Sequence, residues 1–369
     1  MKRMAIVLLI LALLMPAFAL AEAPPPGAMV FEGQMSAALF LPDGRVVYVP
    51  VNKEGDNYLP ETEMRCVDAA GKLQWRCDLP PGKVWWGGPQ ALPDGSFGLV
   101  MAEGDWRQGV LHLVSADGKL LRSRKMPAGF RPLMLAGEWV YGSDEEYKLY
   151  AIDFQGQASP HPLPALGDKA IVLWCVSRDV GRFLAARGQL SGEEDITKRQ
   201  SDQVLLHLDA AGAYTHQAMI RGQRVVEGFG SDAVLNPQGG ITALALQDGQ
   251  EDGHNAFSLI SFDAKGEIAW RKSYALEAFS ARASLIDLNP DGNHTIWGRG
   301  KITELDSSGF VFRLDVDGEG NPLRISARIS SGGQMVRYLE GRAYVNDPWG
   351  PRWWIAPFEA LPEMEMKLK

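Results

Sequence analysis

The residues best suited to chemistry are the carboxylates of Asp315-Val-Asp317-Gly-Glu319-Gly320. Carboxylates at positions one, three and five, with Gly at six, match the start of a calcium loop. Its twelfth position is Ser326, where such a loop carries a bidentate Glu. Asp315, Asp317 and Glu319 are thus candidate calcium ligands, and the same stretch also reads as a hairpin turn. No other cofactor is expected. The chain holds 11 Trp. Trp85 and Trp86 follow a Pro-Pro-Gly connection, and Trp349 lies between Pro348 and Gly350, where a strand cannot easily continue. Aromatic faces on such loops stack on sugars or on a partner's apolar groups. Trp85, Trp86 and Trp349 are therefore the candidate ligand-binding residues. Trp353 and Trp354 are different: in a strand, successive side chains point to opposite faces, so both rings are expected inside.

The other reactive residue types form no motif. The six His are scattered, with no HExxH spacing, and neither a G-x-S-x-G elbow nor a Gly-rich phosphate loop is present. No catalytic residue is assigned. Cys66 and Cys77 flank one turn, too far apart along the hairpin for a bridge, and both are expected as packed thiols. Cys175 is remote from them.

These residues must be positioned by turns, and the turns repeat. Asp68-Ala-Ala-Gly71, Ser115-Ala-Asp-Gly118, Asp153-Phe-Gln-Gly156, Asp209-Ala-Ala-Gly212, Asp263-Ala-Lys-Gly266 and Asp315-Val-Asp-Gly318 each follow an apolar residue. Asp or Ser bonds its own backbone two residues on, and Gly accepts the left-handed conformation that closes the turn. A second series alternates with the first, including Pro42-Asp-Gly44, Pro93-Asp-Gly95, Ala136-Gly137, Asp179-Val-Gly181, Pro237-Gln-Gly239, Pro290-Asp-Gly292 and Glu340-Gly341. Both recur at about fifty residues, the length of a propeller blade. Strands such as Leu205–Leu208 and Leu259–Phe262 are apolar on both faces, as in sheets covered on both sides. The pattern predicts an all-β fold: a single seven-bladed β-propeller of four-stranded antiparallel blades. Ala28–Glu32 is expected to close the ring at the last blade, with Glu363–Leu368 as the alternative.

The chain starts with Lys2 and Arg3, the apolar run Ala5 to Leu14, and Ala19-Leu20-Ala21 before Glu22 and three prolines. That is the pattern of a secretory signal peptide over residues 1–21, leaving residues 22–369 as the propeller domain. Removing Lys2 and Arg3 leaves 35 basic against 45 acidic residues, a net charge of −10. This balance argues against nucleic acid or an anionic membrane as partner. The expectation is a monomer without stable membrane insertion, secreted or periplasmic.

Two turns run on into a Trp: Val67-Asp68-Ala-Ala-Gly71-Lys-Leu-Gln-Trp75 and Phe262-Asp263-Ala-Lys-Gly266-Glu-Ile-Ala-Trp270. This resembles the repeats of quinoprotein-like propellers, in which a Trp after an Asp–Gly turn docks one blade on the next. The resemblance runs from about Ala28 to the C-terminus. It is degenerate elsewhere, where Arg122, Pro160 or His216 stands near the Trp position. Among relatives it implies, the quinone dehydrogenases have eight blades and vicinal cysteines, and no Cys-Cys pair occurs here. Pyrroloquinoline quinone is therefore not expected. The outer-membrane assembly propeller is a lipoprotein, and this leader has no lipidation Cys. The expected function is a non-catalytic binding or scaffold module for a protein or glycan outside the cytoplasm. The alternative is an enzyme with its site at the central axis, a glycan hydrolase or lyase or a quinone-dependent oxidoreductase.

Overall fold

The computed structural model describes residues 24–54, 57–84, 88–103, 108–136, 138–144, 149–158, 169–178, 181–189, 200–209, 214–224, 229–245, 256–278, 280–302, 309–330, 333–339, 341–346 and 352–369. The expected leader and its cleavage site lie outside them. Among the described residues the chain is all-β, with one 3-10 turn at Phe358–Ala360. No helix there is long and apolar enough to cross a membrane.

The strands form a propeller, and the blade count differs from the expectation. The first sheet has eight strands. Along it run Met35–Phe40, Val46–Pro50, Glu61–Val67, Leu73–Val84, Phe97–Glu103, Gln108–Val114 and Leu120–Lys125, with the short Gln90–Ala91 beside Phe97–Glu103. Next comes a three-stranded sheet, Arg131–Ala136, Trp139–Ser143 and Leu149–Asp153. Two four-stranded sheets follow: one runs from Lys169–Arg178 to Tyr214–Arg224, the other from Phe229–Leu235 to Ile268–Ala275. A five-stranded sheet combines Ser280–Leu288, His294–Lys301, Gly309–Val316 and Pro322–Ser330 with the C-terminal Glu363–Met364. The last sheet has four strands: Gln334–Tyr338, Gly341–Val345, Arg352–Pro357 and the N-terminal Met29–Glu32.

Among the described residues five sheets thus hold four strands or more, a five-bladed arrangement that corrects the expected seven separate four-stranded blades. The cause is local. The strand Leu73–Val84 runs past its turn, and Lys83 and Val84 pair with Ala102 and Met101. Two expected blades thereby become one eight-stranded sheet. Among the described residues the next sheet has three strands, with the isolated bridge Ile152↔Ala158 beside Leu149–Asp153.

Closure follows the N-terminal expectation. Met29 pairs with Ile355 and Phe31 with Trp353. The C-terminal segment instead extends the five-stranded sheet, with Met364 opposite Ala327. Third strands are buried on both faces, as Ala256–Phe262 and Gly309–Val316 show. Trp353 and Trp354 are both buried, on opposite faces. Trp353 stacks on Phe31 at 3.7 Å, and Trp354 meets Tyr344 edge-on at 5.4 Å.

The turns hold the sheets together. Asp68, Asp153 and Asp263 each accept amide N–H bonds from two and four residues on. The sixth turn begins two residues later than expected. The Gly320 amide bonds the Asp317 carbonyl, and the positive φ falls on Gly320, because Asp315 is still in its strand opposite Arg324. The fourth strand of one repeat lies on the turn of the next. A methyl group at Gly118 would sit 2.7 Å from the Trp75 ring, and one at Gly320 would sit 2.8 Å from Trp270. Tyr274 Oη also donates to the Gly320 carbonyl at 2.7 Å. The thiols of Cys66 and Cys77 are free and buried, and burial pushes the Cys66 thiol up to about 11.

Gly118 therefore has two duties, a left-handed backbone and room for an indole, while Gly95 has the same φ with open space around it. Gly95→Ala should cost about 1–2 kcal/mol for the left-handed backbone. Gly118→Ala should cost about 3 kcal/mol, since Trp75 must also move. Urea unfolding of both variants checks this, and equal losses would mean that docking contributes nothing at Gly118.

Candidate functional site

The leading strands of successive sheets touch one another along the centre of the ring. Four of them, ending at Phe40, Leu235, Leu288 and Tyr338, line a cavity of about 1290 Å³. Its wall includes Phe40, Leu288, Tyr338 and Leu339 on the apolar side, and Asp287, Arg313, Arg337 and Arg342 on the charged side.

The charged wall comes from several repeats. Asp232 lies in Phe229–Leu235 beside a bulge and is fully buried. One of its oxygens accepts the Ile286 amide at 2.8 Å and Arg337 Nη2 at 2.5 Å. Arg337 also donates to the Ile286 carbonyl at 3.1 Å. One carboxylate thus ties together three leading strands. Asp287, at the end of Ser280–Leu288, accepts Arg342 Nε at 2.8 Å, Arg342 Nη2, and Trp297 Nε1 at 3.0 Å. Arg337 Nε stands 3.5 Å from the same carboxylate. Arg337 and Arg342 face each other across the hairpin Gln334–Val345. Like charges placed so are unfavourable, and Asp287 lies between them to offset the repulsion.

The network continues around Trp297. The Arg313 guanidinium lies over its ring at 5.5 Å, and Phe358 meets it edge-on at 5.2 Å. Arg313 Nε donates to Asp315 Oδ1 at 2.9 Å, which also accepts Thr295 Oγ1 at 2.7 Å. Asp232, Asp287 and Asp315 thus hold Arg337, Arg342 and Arg313 beside the cavity, and Glu359 is a further carboxylate on its wall. A general acid or base must present its atom to a reacting group; here both Asp287 oxygens and one Asp232 oxygen accept from N–H donors, while Glu359 stands exposed on the wall.

The rim carries backbone strain. Leu339 has φ 54, a left-handed value that costs a leucine about 1–2 kcal/mol. The sequence places this turn at Glu340-Gly341, but the left-handed residue is Leu339. Tyr338 Oη donates to the Gly44 carbonyl at 2.8 Å, joining the last sheet to the first turn.

Trp85, Trp86 and Trp349 lie outside the described residues. The calcium candidates are described and do not converge. Asp315 is a strand residue held by Thr295 and Arg313. Asp317 caps its own turn, accepting the Glu319 and Asn321 amides and Asn321 Nδ2. Glu319 is exposed on that turn. Among the described residues no group of three or more His, Cys, Asp or Glu could hold a metal ion. The donor set does not fit calcium. The described His residues serve the sheets. His112 Nδ1 is 2.8 Å from Ser123 Oγ, and burial lowers its pKa to about 4. His207 Nδ1 is 2.6 Å from Thr215 Oγ1.

The cavity cluster has no local motif, because Asp232, Asp287, Arg337 and Arg342 come from three repeats. One signal was present: Arg337-Tyr-Leu-Glu-Gly-Arg342 sets two arginines opposite each other across a tight turn, which calls for a carboxylate between them.

Fold and cavity together define a β-propeller with an axial site. No family model matches the chain, and no curated protein matches it. Many solved structures are similar to it. BamB from Moraxella catarrhalis is 10% identical, covering 89% of this chain and 98% of that one, with a TM-score of 0.39. BBS1N, crystallised in complex with ARL6DN, is 8% identical, covering 90% and 97%, with a TM-score of 0.46. The N-terminal domain of Nup159 is 11% identical, covering 94% and 93%, with a TM-score of 0.43.

Breaking the central pair should be costly. Arg337→Leu leaves the Asp232 carboxylate buried without its guanidinium and should lose about 3 kcal/mol, the low end for a buried pair because the Ile286 amide bond remains. Asp232→Asn in the same background should recover at least half of that loss. A double-mutant cycle by urea unfolding measures it, and an additive result would show that the two residues are not coupled.

Proposed function

We propose that this chain is a non-catalytic binding module that works outside the cytoplasm and takes a protein or glycan ligand at the mouth of its axial cavity. One observation carries the reading: Asp287, Arg337 and Arg342 in the cavity wall are tied to one another, and apolar side chains stand beside them, with Glu359 an exposed carboxylate on the same wall. Asp287 is held between two arginines and Trp297. Leu288 and Leu339 are exposed beside it. A wall of this kind offers shape, aromatic surface and fixed hydrogen-bonding groups, which are what recognition uses. The signal-like N-terminal sequence supports a location outside the cytoplasm. The propeller neighbours fit a scaffold role without naming a ligand for this chain.

Photo-crosslinking tests the reading. A crosslinker at Leu288 should capture a ligand from the native compartment, and one at Leu323, exposed on an outer strand, should not. Leu288→Glu should abolish capture while changing stability by no more than about 0.5 kcal/mol. Capture at position 323 alone would move the site off the cavity. Turnover of a glycan or alcohol substrate that is lost in Asp287→Asn would overturn the non-catalytic reading.

A further inference from the structure

We propose that the outer edge of Leu120–Lys125 is a docking edge for an extended acidic segment of a partner protein, which adds to the sheet as an antiparallel strand. This surface is separate from the axial cavity and stands independently of it.

Leu120–Lys125 ends the eight-stranded sheet. Among the described residues it pairs only with Gln108–Val114. Its other side presents backbone N–H and C=O groups in a row, a template for another strand. Lys119, Arg122, Arg124 and Lys125 lie on this stretch with no acidic residue among them, in a chain whose net charge is −8. Lys119 pairs with Asp117 at 3.0 Å and Lys125 with Glu103 at 2.6 Å. Arg122 and Arg124 instead donate to neutral acceptors, the Gln155 amide oxygen and the Phe154 carbonyl. Among the described residues neither guanidinium makes an ion pair. Leu120 and Leu121 are 38% and 59% exposed beside them.

The molecule itself shows what fits such an edge. The corresponding outer strand, Pro322–Ser330, carries the C-terminal Glu363–Met364 antiparallel to it, with Arg328 opposite Glu363. The Arg328 guanidinium lies 3.0 Å from the Glu363 carboxylate. Along this tail Glu363 and Glu365 are exposed, while Met364, Met366 and Leu368 pack on the core. An alternating acidic and apolar segment is therefore complementary to a basic outer strand. The register on Leu120–Lys125 must differ in one respect. In the C-terminal pair the Ile329 amide donates to Pro362, whereas the corresponding position after Lys125 and Met126 is Pro127, which has no amide hydrogen. The added strand must therefore lie nearer the turn, over residues 120–126.

Fluorescence anisotropy of the full chain with a labelled peptide, Pro-Glu-Met-Glu-Met-Glu, tests the assignment. The peptide should bind, and more weakly as salt rises. Arg122→Glu with Arg124→Glu should weaken binding at least about tenfold, as should N-methylation of alternate peptide amides. Arg328→Glu should leave it unchanged. No binding to the natural chain, equal binding to the double variant, or loss through Arg328→Glu instead would overturn the proposal. Undiminished binding of the N-methylated peptide would also overturn it, since the contact would then be charge without strand addition.

Discussion

The constraint on which this structure depends is the contact between one repeat's outer strand and the next repeat's turn glycine. Trp75 covers Gly118 and Trp270 covers Gly320. Arg124 occupies the same place over Gly156, and Met29 lies 3.2 Å from where a methyl on Gly71 would be. The last contact is instructive. Met29 belongs to the N-terminal strand that completes the final sheet, so the docking passes around the closure and back to the first turn. What the contact requires is the absence of a Cβ on the turn residue; at Gly266 it is the backbone of Gln217 that comes close. This explains how an arginine or a methionine serves where an indole is absent.

That constraint fixes the axial site. Leading strands of neighbouring sheets touch one another. Asp232, Asp287 and Arg337 are brought within ion-pair distance only by that arrangement. Burial makes the pairing obligatory, since a carboxylate out of water needs partners. The same pairing fixes where these side chains stand. A site thus stabilised holds a shape and presents its rim. Among the described residues the outer strands carry exposed leucines and arginines, but their edges differ: Lys83 and Val84 pair with the following sheet, and the chain's tail covers Pro322–Ser330 and reaches the end of Ile268–Ala275.

The sequence showed the periodic part of this plainly. Turn residues with backbone requirements, Asp or Ser followed by Gly, located hairpins such as Ala256–Phe262 with Ile268–Ala275. The closing role of the N-terminal strand was also legible, from an unpaired strand-like stretch before the first turn. The blade count was not. It turned on how far Leu73–Val84 runs and where Lys83 and Val84 pair, which no periodicity encodes. The sixth turn was misplaced by two residues because Asp315 and Asp317 each precede a glycine three positions on, so local chemistry did not distinguish them. The axial cluster was invisible for a different reason: its members are remote in sequence and ordinary in their own repeats.

Native-state hydrogen exchange in Trp270→Ala tests the central claim most directly. If the indole holds two repeats together, protection should fall together in Ile268–Ala275 and in the neighbouring turn and strand, Asp317–Ser330, where the Gly320 contact is lost. A fall confined to Ile268–Ala275, with the neighbouring turn and strand as protected as before, would contradict the account.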